Sequence, residues 1–160
     1  MPQISTFLTF NGRAEEAAKF YTSVFPNSAI TRITRYPDLG PKSPFVTGSV
    51  MTVEFSLNGR AFTALNGGPQ FSFNQGISIS VLCDTQDELD GYWEKFVAAG
   101  GTPVACGWIT DHFGVSWQID PKRLIELIAH ENGATAAKAM MAMMTMVKID
   151  SAALEAAVAG

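Results

Sequence analysis

Two runs of alternating apolar and polar residues, joined by an Asn-Gly pair, dominate the hydrophobic pattern between residues 49 and 69. Asn58-Gly59 in this setting predicts a β-hairpin with a type I′ turn, in which both turn residues take positive φ. Counting outward from the turn places Glu54 opposite Thr63. One face of the hairpin is then apolar and requires a cover of helices, whereas the other face is mixed and carries Glu54 as its lone acid.

The pattern before this hairpin predicts a strand, a helix and a second strand. Residues 4–10 alternate in polarity, and apolar residues then recur at helical spacing until Pro26-Asn27-Ser28 ends the run. Residues 29–36 have the composition of a strand, and the Pro- and Gly-rich stretch 37–48 predicts a loop. The first half of the chain therefore has the order strand, helix and three strands.

The second half repeats this order. Residues 76–83 alternate as a strand, and Thr85 with Glu88 forms a capping box for a helix that ends at Gly100-Gly101. Residues 103–111 and 115–120 predict a hairpin around an exposed His112. Asp120-Pro121 predicts the cap of a further helix, and His130 lies at its end.

The tail predicts two more helices. Ala136, Met140, Met143 or Met144, and Val147 can share one helical face, which we expect to pack on the protein or on a second subunit. Asp150 or Ser151 can cap a final short helix.

Two βαβββ modules predict an α+β fold. Each module can cover only one face of its sheet, so two modules placed edge to edge would join their mixed faces into a concave sheet with helices outside. The predicted domain spans residues 1–130, with repeats at about 1–68 and 76–129, and a Met- and Ala-rich helical tail spans 131–160.

Alternation along the strands also predicts which side chains line the concave surface. Such surfaces suit small ligands. The predicted ligand pocket consists of Ser5, Phe7, Thr9, Thr52, Glu54, Ser56, Thr63, Leu65, Ser78, Ser80, Ser116 and Gln118, with Trp108 at its rim.

Composition narrows the range of partners. The formal net charge of −4, without any cluster of Lys or Arg, argues against nucleic acid and against an anionic membrane. No apolar run approaches the roughly 20 residues that a membrane span requires, and the N-terminus lacks the pattern of a signal peptide. We therefore expect a cytoplasmic protein whose partner is a small molecule or another protein. Cys83 and Cys106 form no Cys-x-x-Cys motif and are expected to be buried thiols.

The βαβββ repeat and three sequence stretches resemble the glyoxalase/bleomycin-resistance/dioxygenase superfamily, also called the vicinal oxygen chelate proteins. The stretches are NGRAEEAAKFYTSVFP, VEFSLNGRAFTALNGGPQFSFN and CGWITDHFGVSWQI. Within the superfamily the chain is similar to the PhnB-like branch, often labelled 3-demethylubiquinone-9 3-methyltransferase. The resemblance implies a homodimer. The chain nevertheless lacks the glycine-rich strand-to-helix turn by which a Rossmann-type methyltransferase would bind S-adenosylmethionine.

The resemblance also implies positions for a divalent metal. Metal enzymes of the superfamily hold the ion with His or Glu from the first, fourth, fifth and eighth strands, and these positions fall near Ser5, Thr63, Ser78 and Gln118. Hydroxyls and one amide are poor ligands for a transition metal, which prefers imidazole, thiolate or carboxylate. We therefore expect no tightly bound catalytic metal and no other cofactor.

Two classes of function remain open. The preferred one is a metal-independent binder of a small molecule, similar to resistance proteins that sequester a drug, with Phe7, Phe71, Phe73 and Trp108 as aromatic contacts. The alternative is an enzyme. It could be an isomerase or lyase with Glu54 as general base, or a metal-dependent glyoxalase- or dioxygenase-type enzyme. A structural hydrogen bond from Glu54 to Thr63 or to a neighbouring strand is the simpler interpretation of that acid.

Overall fold

Each half of the chain folds as strand, helix and three strands in the computed structural model, which describes all 160 residues. The halves form separate units, Met1–Ser72 and Phe73–Gly160, and the second unit also contains the C-terminal helices. The first unit contains β1 (Thr6–Phe10), α1 (Ala14–Val24), β2 (Ala29–Arg35), β3 (Val50–Leu57) and β4 (Arg60–Asn66). The second unit contains β5 (Ile79–Cys83), α2 (Gln86–Ala98), β6 (Thr102–Pro103), β7 (Trp108–Thr110), β8 (Ser116–Pro121), α3 (Lys122–Ile128), α4 (Gly133–Met143) and α5 (Ser151–Ala159).

Both units have the same sheet topology. The strand order is β1-β4-β3-β2 in the first sheet and β5-β8-β7-β6 in the second. In each sheet the first strand runs parallel to the last strand of its module, and the remaining pairs are antiparallel. The α+β fold built from two repeated βαβββ modules is therefore confirmed.

The central hairpin has the predicted turn and register. Asn58 and Gly59 have φ values of 46° and 81°, which is the pattern of a type I′ turn. Glu54 lies opposite Thr63, as counting from the turn predicts. The apolar face of the sheet packs on α1, where the Tyr21 ring stacks on Phe55 with 6.2 Å between centroids. This face and the helix form the core of the first unit.

A residue from the far end of β4 completes the start of α1. Arg13 occupies the N-cap position without a side-chain cap, and the Ala14 amide instead donates to Asn66 Oδ1 at 2.9 Å. The Asn66 amide group in turn donates to the Val50 carbonyl at 3.1 Å. Asn66 thus ties together α1, β3 and β4.

The core of the second unit lies between its sheet and α2. Trp93 and Trp117 are 7% and 1% exposed, which confirms both as core residues, and Phe96 packs on Trp117 with 5.0 Å between ring centroids. The α2 helix starts at Thr85, whose hydroxyl accepts from the Glu88 amide at 3.2 Å. The Glu88 carboxylate completes a variant of the capping box, because it accepts from the amide of Asp84 at 2.8 Å rather than from that of Thr85.

The predicted hairpin at residues 103–111 and 115–120 is shorter than expected. Its first strand is divided into β6 and β7, because Cys106 and Gly107 have φ values of 62° and 81° and interrupt the extended backbone. Their amides donate to the carbonyls of Met146 and Val147, at 2.8 and 2.7 Å. Contacts with the tail therefore replace strand pairing here. Cys106 is half-buried rather than buried, and β5 begins three residues later than predicted, at Ile79.

Asp120 does not cap α3, contrary to the prediction from Asp-Pro. The β8 strand continues through Pro121, and Asp120 is paired opposite Leu82 of β5. Its side chain is 4% exposed, and Oδ1 has no hydrogen-bond partner. A Cβ atom added to Gly107 would lie 2.1 Å from this oxygen and 3.0 Å from Ile149, so the carboxylate is enclosed by the chain around residue 107 and by the tail.

One further expectation needs correction. His112 is half-buried rather than exposed, because its ring packs on Phe113 with 3.9 Å between centroids. The predicted apolar face of the tail is partly covered by the protein: Ala136 and Met143 are half-buried, whereas Met140 and Val147 are 47% and 50% exposed, so packing on a second subunit stays a prediction. The cap of α5 is confirmed, since the side chain of Asp150 accepts from the Ala153 amide at 3.0 Å. None of the five helices combines the length and apolarity that a membrane span requires.

Candidate functional site

Two rows of side chains cross the mixed face of the first sheet, from β1 through β4 and β3 to β2. Strand register defines both rows, because residues directly opposite each other point to the same face. The first row is Phe7, Thr63, Glu54 and Arg32. The second row is Thr9, Leu65, Thr52 and Thr34. The first sheet therefore brings six of the predicted pocket residues together, and Ser5 lies exposed just before β1.

Glu54 is bound by Arg32, a residue that the sequence analysis did not identify. The Arg32 Nε atom donates to Glu54 Oε2 at 3.0 Å, and the second guanidinium nitrogen donates to Oε1. The hydrogen bond that Arg32 donates to Glu54, and secondarily the negative charge of Glu54, raise the pKa of Arg32. The side chains are 66% and 35% exposed, so this two-point ion pair is accessible from solvent.

Hydroxyl groups and one aromatic ring flank the ion pair. Thr34 and Thr52 share a hydrogen bond between their hydroxyls, and Thr63 is 7% exposed. Phe7, at the other end of the first row, is 60% exposed. The two rows of the mixed face thus offer an apolar contact, several hydroxyls and a charged pair across four strands.

The second sheet collects its own part of the predicted pocket. Ser80 lies opposite Gln118, and Gln118 lies opposite Trp108. The Gln118 amide donates to Ser78 Oγ at 2.7 Å. Trp108 and Gln118 are half-buried, so an indole and an amide are available side by side.

The residues at the positions implied for a metal do not fit a divalent cation. Thr63 is buried between its strand neighbours, and Ser78 and Gln118 bind each other. No group of three His, Cys, Asp or Glu side chains is arranged to hold a metal ion. The donor atoms at these positions are hydroxyls and one amide, which do not offset the dehydration of a transition metal.

The other reactive side chains of the second unit have structural roles. Burial raises the pKa of the Cys83 thiol to about 12, so it is not a nucleophile near neutral pH. Asp111 accepts from the amides of Phe113 and Val115 and from the Trp117 indole, each at 2.9 Å. These bonds hold the turn between β7 and β8 and leave Asp111 little capacity for chemistry.

Comparison with known families now identifies the class of the protein. The sequence model of the family described as 3-demethylubiquinone-9 3-methyltransferase matches residues 2–120. The chain belongs to this family. The resemblance to the PhnB-like branch of the vicinal oxygen chelate superfamily is thereby confirmed.

One solved structure agrees with this family, and a second agrees with the fold. A PhnB protein from Bacillus cereus, described as a candidate 3-demethylubiquinone-9 3-methyltransferase, is 36% identical, with a TM-score of 0.65 over 75% of this chain and 99% of that one. Protein PA1353 from Pseudomonas aeruginosa is 23% identical, with a TM-score of 0.62 over 76% of this chain and 98% of that one.

A more distant likeness extends to resistance proteins. The fosfomycin resistance protein FosX from Mesorhizobium loti is 13% identical, with a TM-score of 0.52 over 72% of this chain and 87% of that one. At this identity the likeness concerns the fold alone. None of the curated proteins compared with the chain matches it.

Proposed function

We propose that this PhnB-like protein binds a small organic molecule on the mixed face of its first sheet, without a catalytic metal. The observation that carries the proposal is the first row of that face, where the exposed Phe7 ring and the accessible Arg32–Glu54 pair lie at opposite ends. Small-molecule sites typically combine apolar contacts with a few placed polar groups. Four adjacent strands span about 14 Å, which matches the length of such a ligand.

The side chains of the face define the chemistry of the ligand. A flat apolar group would pack on Phe7, and polar groups of the ligand would hydrogen-bond the threonine hydroxyls. The Arg32–Glu54 pair can donate from the guanidinium and accept at the carboxylate, so it favours a ligand with both donor and acceptor groups at one end. We do not extend the proposal to methyl transfer, because neither sheet is the doubly wound parallel sheet on which a Rossmann-type cofactor site is built.

The second candidate function is an isomerase or lyase with Glu54 as general base. The half-buried carboxylate on a ligand-sized face favours it. Both carboxylate oxygens already accept from Arg32, however, so the guanidinium and not a substrate proton fixes the orientation of the carboxylate. For this reason we prefer a binding protein.

We also propose that the protein is a homodimer. Large apolar side chains lie exposed just before one outer strand of each sheet, with Ile4 before β1 at 90% and Ile77 before β5 at 78% exposure. Outer strands with exposed apolar residues favour pairing with a second chain.

Ligand screening with matched variants tests the binding site. Neutral bicyclic aromatics with donor and acceptor groups at one end are screened by thermal shift, and the hits are measured by calorimetry. We expect Phe7→Ala to weaken binding by about tenfold, the loss expected for one large apolar contact. Leu39→Ala removes an equally exposed apolar side chain from a loop and should leave the affinity unchanged. Equal effects of both variants, or no hit, would contradict the proposal.

A second pair of variants separates a binding protein from an enzyme. Glu54→Gln combined with Arg32→Gln removes both charges together, so that neither is left unpaired. If Glu54 is a base, the double variant loses turnover on any substrate that the wild-type protein converts, whereas a binding protein only loses affinity. Dialysis against EDTA should leave binding intact, and loss of binding after EDTA would favour the metal-dependent alternative.

A further inference from the structure

A cavity lies at one end of the first unit, beside the second row of the mixed face. Its volume is about 550 Å³, and none of the residues of the two rows lines it. It forms beyond the carboxyl ends of the parallel strands β1 and β4. After β1 the chain continues through Asn11-Gly12 into α1, and after β4 it continues through Gly67-Gly68 into a loop. Crevices outside the carboxyl ends of parallel strands are frequent ligand sites, because neighbouring chain segments diverge there.

Hydrogen bonds and ring stacking fix the walls of this cavity. The Asn66 side chain bridges the Ala14 amide and the Val50 carbonyl, and the Tyr36 hydroxyl donates to the Asn66 carbonyl. Tyr36 stacks on Phe45 with 4.2 Å between ring centroids and 6° between ring planes. Two aromatic rings are therefore held in place before any ligand arrives, which reduces the entropy cost of binding.

The lining is apolar except for a few groups, and it carries a single charge. Pro44, Val46 and Pro69 contribute apolar surface beside the aromatic pair. Glu15 is the one charged residue of the lining, and its carboxylate is paired with Lys19 at 2.9 Å. This pair is largely exposed, at 34% and 65% for the two side chains, so a ligand can replace Lys19 at little cost.

An anionic ligand does not fit this cavity, although a helix begins at its edge. The Ala14 amide at the start of α1 is already bound by Asn66, and Glu15 and Glu16 place negative charge in the first turn. No Lys or Arg lines the cavity. The positive end of the helix dipole is thus satisfied from within the protein.

We propose that this cavity binds a small organic cation with a flat apolar body. The ammonium group would pair with the Glu15 carboxylate, and the apolar body would lie against Tyr36 and Phe45.

Three matched probes test the charge preference. Benzylammonium, benzyl alcohol and phenylacetate have nearly the same shape and differ in charge. We expect benzylammonium to shift the amide signals of Glu15, Phe45 and Gly68 in two-dimensional NMR spectra, benzyl alcohol to bind more weakly, and phenylacetate not to bind. Equal or tighter binding of phenylacetate overturns the proposal, as does the absence of shifts at these residues with any probe up to its solubility limit.

Variants then link the binding to this cavity. Glu15→Gln should weaken benzylammonium by about fivefold and leave benzyl alcohol unchanged, because it removes only the charge. Glu16→Gln makes the same change one residue further along, outside the lining, and should have no effect. Val46→Trp should abolish binding of both probes by filling the cavity, whereas Leu39→Trp on the same loop should not. Equal losses for Glu15→Gln and Glu16→Gln, or binding that survives Val46→Trp, would contradict the assignment.

Discussion

Asp111, just after β7, and Asp120, in the neighbouring strand β8, show how the same side chain takes opposite roles. Both are 4% exposed. Asp111 accepts three hydrogen bonds, whereas Oδ1 of Asp120 accepts none and lies against Gly107 and Ile149. Burial accordingly raises the pKa of Asp120 to about 6. A buried carboxylate without a partner favours the neutral, protonated form.

The free energy of unfolding should therefore depend on pH through Asp120. Its folded pKa of about 6 lies above the ordinary value of 3.8. The stabilisation of the folded state by protonated Asp120 is complete below pH 3.8 and is lost as the pH rises through 6. The corresponding change in the free energy of unfolding is about 3 kcal/mol. Asp120→Asn should remove this loss, making the variant about as stable as wild type at pH 4 and more stable at pH 7.5. Urea unfolding followed by tryptophan fluorescence reports this unit, since all three tryptophans lie within it.

A matched variant serves as a control for a general effect of charge on the pH profile of stability. Asp38→Asn changes an exposed acid in a loop of the first unit and should leave the pH profile unchanged. If Asp120→Asn retains the wild-type decline between pH 4 and pH 7, another group is responsible for it.

The position of Asp120 also shows what a local motif cannot predict. Asp-Pro before a helical pattern is a typical start signal. Burial of this carboxylate depends on Ile149, 29 residues later, and on the positive φ of Gly107. Neither the distant contact nor the backbone conformation can be predicted from the sequence around residue 120.

Among the elements, α1 depends on a distant side chain for its first hydrogen bond. Because Arg13 provides no side-chain cap, Asn66 Oδ1 supplies the acceptor for Ala14 from 52 residues further along the chain. Asn66→Ala should leave this amide and the Val50 carbonyl without their partner and lower the free energy of unfolding of the first unit by about 2 kcal/mol. Hydrogen exchange of the Ala14 amide should accelerate more than that of amides in the middle of α1.

Asn11→Ala provides the control for this effect. Asn11 is exposed and lies in the turn before α1, so its loss should change neither stability nor exchange appreciably. Unchanged exchange at Ala14 in Asn66→Ala would show that α1 is capped in another way.

The two edges of β3 explain why half of the candidate site was predictable. On one side the two-residue Asn-Gly turn fixes the register, so Glu54 could be placed opposite Thr63 from the sequence. On the other side a 14-residue connection separates β2 from β3, and the register shifts between Ile30 and Arg32. Counting fails across a long loop and an irregular strand pair, so the partner of Glu54 could not be identified.

At the scale of the whole molecule, each sheet has two strands with a single neighbour, β1 and β2 in the first sheet and β5 and β6 in the second. Ile4 and Ile77 lie exposed just before β1 and β5. The tail offers a rival contact surface, because Met141 and Met144 are 69% and 67% exposed. Flexible methionine side chains suit an adaptable interface. The proposed homodimer could thus use strand edges or the tail. Single substitutions that introduce a charge can distinguish these two interfaces.

Sedimentation velocity at micromolar concentration should show a dimer of the 160-residue chain. We expect Ile77→Lys to raise the dimer dissociation constant at least tenfold, because a lysine beside an outer strand disfavours edge pairing and would bury a charge in the interface. Met141→Lys places the same charge on the tail and should leave the dimer intact. The reverse pattern would assign the interface to the tail, and a monomer at every concentration would refute the dimer.

An edge interface would also place the mixed face beside a second copy, so that the affinity for the ligand of that face would fall in Ile77→Lys but not in Met141→Lys.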